Sequence, residues 1–174
     1  MAVGNLEFIK SASGTSVSSL SVTDCFSAKY DVYAFFIVKQ ETSANVDTHL
    51  RFIDSGGSVI TASEYDTAQL SLISYAAFAE GRATSADRIY NVQKGEAVSA
   101  ENGGSIHYIF NPYDSSSYTF HQTSGAGAVL SSGLIGNKGI GVHKSAEQIT
   151  GFNLFPNSGT YDTLEVKVYG LASK

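Results

Sequence analysis

The stretch LEVKVY at residues 164–169 decides the fold class of this chain. Its Leu and Val residues alternate with Glu165 and Lys167, so apolar side chains fall on one face of an extended strand and charged ones on the other. An antiparallel sheet with one buried and one solvated face produces this alternation. The segment therefore predicts a half-buried strand of an antiparallel sheet.

Other segments carry a similar strand signal and end at turn-forming residues. They are residues 18–22, 30–39, 49–54, 105–110, 117–121 and 149–155. Turn-forming residues recur about every ten to a dozen positions, a spacing typical of sandwiches and barrels. Residues 68–81 are rich in Ala and Leu and fit either a strand or a short helix. We expect an all-β fold, an antiparallel β-sandwich of jelly-roll type with about eight to ten strands.

Length and composition indicate one domain spanning residues 1–174. The 174 residues are 43% apolar and only 16% charged, which excludes a disordered chain. Residues 1–16 are expected to form an N-terminal arm or an edge strand. The glycine-rich residues 124–141 are expected to form a long mobile loop.

Charge and cysteine content exclude several classes of protein. The net charge of −5 argues against a nucleic-acid binder, which normally carries a basic patch. No apolar run reaches the roughly 20 residues of a membrane span, and the N-terminus lacks a signal-peptide pattern. The single cysteine, Cys25, cannot form an internal disulfide, and a small buried side chain is its expected role.

The segment at residues 30–39 is apolar on both faces, unlike residues 164–169. Such a strand lies in the centre of a sheet or is covered on its second face by a partner subunit. The strand patterns predict a core formed by Leu20, Val22, Val32, Phe36, Val38, Leu50, Phe52, Ile106, Tyr108, Phe110, Ile149, Leu164, Val166 and Val168.

The sequence contains no recognisable catalytic or metal-binding motif. The histidines, His49, His107, His121 and His143, share no HxH, HxxH or HExxH spacing, although His107 and His121 could pair across neighbouring strands. No G-x-S-x-G motif or phosphate-binding loop is present. We therefore expect no catalytic residue, no metal ion and no cofactor. An enzyme such as a small glycan hydrolase remains an alternative that lacks a recognisable catalytic constellation.

Aromatic residues supply the candidates for surface contacts. The chain has 10 Tyr and 10 Phe but no Trp. Most lie in the expected strands, where packing is their default role. Tyr113, Tyr118 and Tyr161 fall in or beside turns, so we expect them to be exposed contact residues.

The order of these segments resembles the short jelly-roll-like virion proteins of tailed bacteriophages, those of marine and cyanobacterial phages especially. The resemblance spans almost the whole chain and has two departures, at Thr163 and at residues 124–141. The matching residues are Ser18–Thr23 with Phe26-Ser27, Tyr30–Tyr33 with Ile37, Leu50–Phe52 with Gly56-Gly57 and Tyr65, Ile109–Pro112 with Ser115-Ser116, Ile149–Phe152 with Phe155, Ser158-Gly159, and Tyr169–Leu171.

The resemblance implies a structural or adsorption role on a virus particle and carries over no catalytic residue. The first hypothesis is a capsid decoration, cement or knob-like subunit, assembled in the host cytoplasm and bound to the major capsid protein or a tail protein. We expect a homo-oligomer, with a trimer as the form considered. The alternative is a tail appendage or receptor-binding module that recognises host surface carbohydrate.

Overall fold

The computed structural model describes residues 6–98, 100, 102–129 and 132–172. Most of these residues lie in strands, because segments with β-branched and aromatic side chains are separated by short turns. The strands are β1 (Leu6–Gly14), β2 (Leu20–Val22), β3 (Val32–Thr42), β4 (Val46–Asp54), β5 (Tyr65–Ile73), β6 (Ala79–Ala86), β7 (Ile89–Gly95), β8 (Gly104–Phe110), β9 (Thr119–Val129), β10 (Gly133–His143), β11 (Ile149–Pro156) and β12 (Tyr161–Leu171).

The strands form two antiparallel sheets packed as a sandwich. The larger sheet has eight strands in the order β1-β12-β3-β8-β9-β10-β5-β6, and the smaller has four in the order β2-β11-β4-β7. This confirms the all-β antiparallel β-sandwich, with twelve strands among the described residues rather than eight to ten. Within those residues, no helix is long and apolar enough to cross a membrane.

Strands from the two ends of the chain pair in nested order. β1 pairs with β12, β2 with β11, β3 with β8 and β4 with β7, and successive pairs alternate between the two sheets. The hairpins β5–β6 and β9–β10 extend the larger sheet beyond β8. The expected N-terminal edge strand is β1, and residues 68–81 lie in β5, β6 and the turn between them rather than in a helix.

The core lies between the two sheets, and β12 shows how the sequence determines it. Leu164, Val166 and Val168 are fully buried, whereas Glu165 and Lys167 are half-exposed on the opposite face. The expected core residues Val22, Leu50, Phe52 and Ile149 are also buried, and Leu20 packs half-buried against the core. Cys25 is 2% exposed, as expected of a small buried side chain, and burial raises the pKa of its thiol to about 12.

The core assignment for β3 and β8 is wrong, because the opposite faces of these strands point inward. The inward side chains are Tyr33, Phe35 and Ile37 on β3, and Ser105, His107 and Ile109 on β8. The expected core residues Val32, Phe36, Val38, Ile106, Tyr108 and Phe110 are half-buried or exposed instead. β3 is apolar on both faces, so its pattern does not fix which face points inward. In β8 the polar Ser105 and His107 lie on the inward face, so the apolar side chains of Ile106, Tyr108 and Phe110 indicated the wrong face.

The expected mobile loop at residues 124–141 is instead part of the hairpin β9–β10, apart from residues 130 and 131, which lie outside the described residues. Gly125 pairs with Asn137, and Ala126 pairs with Gly136. A Cβ atom at Gly125 would lie 2.0 Å from Oε1 of Gln93, and one at Gly136 would lie 2.6 Å from a backbone oxygen. These glycines therefore permit close packing of neighbouring chain segments rather than flexibility.

Candidate functional site

The outward-pointing side chains of the eight-stranded sheet form a continuous surface, which we call the outer face. The register of the strands aligns one residue from each strand into a single row across the sheet. From β1 to β6, the row reads Phe8, Tyr169, Ala34, Tyr108, Gln122, Ile140, Ala68 and Arg82. Apolar residues occupy most of the row, although this face points away from the core.

Large apolar side chains of the outer face are unusually exposed. Ile140 is 62% exposed, Phe8 57%, Phe120 45%, and Ile106 and Tyr108 41% each. Together these five side chains expose on the order of 500 Å² of largely apolar surface, if each contributes about half of its area. Patches of this size mark protein–protein or ligand contacts in many soluble proteins. The outer face is therefore the main candidate for a binding surface.

A cleft of about 520 Å³ lies within the outer face, toward β6. Phe110, Phe120, Ile140 and Val142 contribute apolar walls, and Arg82 lies among the lining residues. The register places Phe110 opposite Phe120 and Phe120 opposite Val142, so the apolar lining crosses three neighbouring strands. The cleft can accept an apolar side chain or an extended segment of a partner.

The three tyrosines expected to be exposed differ in their surroundings. Tyr118 is 46% exposed and lies two residues before Phe120 of the outer face. Tyr113 is half-buried. Tyr161 is fully buried and its hydroxyl lies 3.2 Å from Oγ1 of Thr48, so its assignment as an exposed contact residue is wrong. Tyr161 begins β12 and pairs with Val17 instead of lying in the preceding turn, which explains its burial.

His107 and His121 form the cross-strand pair that the sequence suggested. Nδ1 of His107 lies 3.0 Å from Nε2 of His121, and Nε2 of His107 lies 2.7 Å from Oγ of Ser105. Phe35 stacks on the His107 ring with a centroid distance of 4.0 Å. Burial lowers the pKa of His121 to about 3, and burial together with His121 lowers the pKa of His107 well below its usual value. Both rings are enclosed in the core.

His49 is a further buried, neutral histidine. It is 4% exposed, and its Nδ1 accepts a hydrogen bond of 3.1 Å from the backbone N–H of Asn91. Burial lowers the pKa of His49 to about 4, and the positive charge of Arg88 contributes. This acceptor role requires the neutral ring nitrogen, so the contact favours the uncharged form.

His143 is brought together with two glutamates at one end of the larger sheet. Its ring is fully buried, and its Nε2 lies 3.1 Å from Oε2 of Glu64 and 3.7 Å from Oε1 of Glu147. One potential ligand atom from each residue lies within 4.8 Å of the other two. Sequence reasoning missed this cluster, because Glu64 lies 79 positions from His143 and no local spacing links them.

No protein-family model matches this chain, and no curated protein matches it in sequence. The features on which a function can be argued are thus the outer face with its cleft and the three-residue cluster at His143. The exposed side chains of the outer face are largely apolar, and its cleft is lined mainly by apolar side chains. The polar histidine pair is enclosed in the core.

Proposed function

We propose that this protein is a bacteriophage virion structural protein, a capsid decoration, cement or knob-like subunit that acts by protein–protein binding. The observation that carries the proposal is the apolar outer face of the eight-stranded sheet. A monomer that kept this face in water would forgo about 25 cal/mol for each Å² of apolar area, so a partner that covers it gains binding energy.

The resemblance of the sequence to small phage virion proteins supplies the class of partner. We propose the major capsid protein or a tail protein as partner, with the protein assembled in the host cytoplasm and located on the virion. Self-association into a homo-oligomer, such as a trimer, belongs to the same proposal. Strand β3, which is apolar on both faces, supports self-association, since Phe36 lies on the outer face next to Ile106.

A tail appendage that recognises host surface carbohydrate is the second candidate. The exposure of Tyr118 favours it, because aromatic rings at a turn can stack against sugar rings. In this case the protein binds host cells, and Tyr118→Ala removes the binding. Under the first proposal, cell binding plays no part in the function, so Tyr118→Ala has no consequence there. Binding to the particle depends on the outer face instead.

Co-sedimentation with purified particles that lack this protein tests the proposal, with host cells as a parallel sample. We expect stoichiometric binding to particles, weakened at least tenfold by Ile140→Glu. The matched control is Val98→Glu, because Val98 is a 40% exposed aliphatic residue in the connection between β7 and β8. Binding to cells alone, or particle binding that Ile140→Glu leaves unchanged, would contradict the proposal.

A further inference from the structure

The cluster of Glu64, His143 and Glu147 combines a rigid nitrogen donor with two adjustable oxygen donors. His143 ends β10, and its ring packs 5.0 Å from the ring of Tyr65 and 6.2 Å from that of Phe52. These contacts fix the direction of Nε2. Glu64 precedes β5, and its backbone oxygen accepts a 2.8 Å hydrogen bond from the N–H of Lys144, which joins the two segments beside the site.

The charges at this cluster call for a cation. Among the described residues, both Glu64 and Glu147 have His143 as their ion-pair partner. The neighbouring cation Lys144 instead pairs with Asp66 at 2.8 Å. Two carboxylates carry a formal charge of about −2, which one divalent ion would balance.

The distances also fit metal coordination. A tetrahedral ion with bonds of about 2.0–2.2 Å separates its ligand atoms by roughly 3.4 Å. The distances of 3.1 and 3.7 Å from Nε2 to the two carboxylates bracket this value. Side-chain exposures of 41% for Glu64 and 36% for Glu147 leave room for water at a further coordination position.

We propose that Glu64, His143 and Glu147 bind one divalent transition-metal ion, with Zn²⁺ as the representative ion. A mixed nitrogen and oxygen donor set suits Zn²⁺ and its first-row neighbours, whereas Mg²⁺ and Ca²⁺ prefer oxygen ligands throughout. The ion would join the start of β5 to the end of β10 and to the connection between β10 and β11. It would therefore stabilise this end of the sandwich, independently of the partner that covers the outer face.

Nδ1, the second ring nitrogen of His143, limits the affinity of the site for a metal ion. Nδ1 is buried and has no hydrogen-bond partner among the described residues. When Nε2 binds a metal, the ring proton resides on Nδ1 and finds no acceptor there. Metal-binding histidines usually donate this proton to an acceptor, and loss of such a partner costs about 10–100-fold in affinity. We therefore expect an exchangeable site rather than a permanently loaded one.

Calorimetric titration of the chelator-treated protein with Zn²⁺ tests the site, and visible absorption of bound Co²⁺ reports its geometry. We expect one equivalent to bind, a tetrahedral Co²⁺ spectrum, and a rise in the unfolding midpoint with Zn²⁺. Glu64→Gln and Glu147→Gln should each weaken binding at least about tenfold. Both variants keep an oxygen that can accept a hydrogen bond from His143, and neither replaces the buried ring. We therefore expect both variants to fold.

The matched control is Glu80→Gln, because Glu80 is an exposed carboxylate on β6 outside the cluster. It should leave Zn²⁺ binding unchanged. The proposal is overturned if the wild-type protein binds no Zn²⁺. It is also overturned if either cluster variant binds Zn²⁺ as well as Glu80→Gln does.

Discussion

Acidification from about pH 7.5 to about pH 5 should destabilise this protein strongly, because its interior holds histidines that are neutral when folded. Burial lowers the pKa of His121 from 6.5 to about 3 and that of His49 to about 4, and it lowers that of His107 well below 6.5. In the unfolded chain these groups titrate near 6.5. The unfolded state thus binds more protons below pH 6.5, so stability is complete above that pH and falls as the pH decreases.

The size of the effect follows from these pKa values. At about pH 5 the pH lies about 1.5 units below the unfolded pKa, so holding a histidine with a folded pKa of about 4 or less in its neutral form costs about 2 kcal/mol. His121 and His49 together should therefore cost about 4 kcal/mol, and the lowered pKa of His107 adds to the loss in the same direction. That loss is a large share of the roughly 5–15 kcal/mol that stabilises a typical domain. Ordinary carboxylates contribute little over this interval, because most of their titration lies below it.

Urea unfolding at the two pH values measures the loss, with tyrosine fluorescence and near-UV circular dichroism as probes because the chain has no Trp. His107→Asn combined with His121→Asn should lower stability at about pH 7.5 but remove at least about 2 kcal/mol of its dependence on pH, which is the share of His121. An equal free energy of unfolding at both pH values would refute the reasoning, since it would mean that the folded state protonates these rings as readily as the unfolded state.

Two further predictions concern the core. Phe35→Ala should lower the free energy of unfolding in urea by about 3–5 kcal/mol, because Phe35 is fully buried between Phe152 and His107. Phe36→Ala should cost clearly less, because Phe36 lies on the outer face. Equal losses would contradict the inward face assigned to β3. Gly136→Ala should lower the thermal midpoint, because its Cβ would lie 2.6 Å from the backbone oxygen of Gly125, and an unchanged midpoint would refute the close packing of β10 against β9.

The strand β12 shows what the sequence could predict. Its alternation is strict, and a register in which Leu164, Val166 and Val168 face outward would expose three aliphatic side chains and bury two charges. The fold class follows from such segments. In β8 the alternation is misleading, because the polar Ser105 and His107 face inward while the apolar Ile106 and Tyr108 face outward, so the sequence indicated the wrong face.

Long-range pairing explains the remaining differences. The glycines at residues 124–141 resembled a mobile loop, because local composition does not show that β10 packs closely against β9 and β5. Tyr161 follows a turn in sequence, but its pairing with Val17 places it in the core. The sequence indicated an apolar outer face only for β3, because residues 30–39 are apolar on both faces. Glu64 and His143 meet only because β5 and β10 are neighbours in the sheet.

Hydroxyl-radical footprinting of the protein in assembled virions tests the central claim most directly. The account predicts that Tyr108, Phe120 and Ile140 of the outer face react less in the virion than in the isolated protein. Phe78, which is 63% exposed between β5 and β6, serves as the internal reference. Absence of the protein from virions, or equal reactivity of the outer face in both samples, would contradict the claim that this face binds a virion protein.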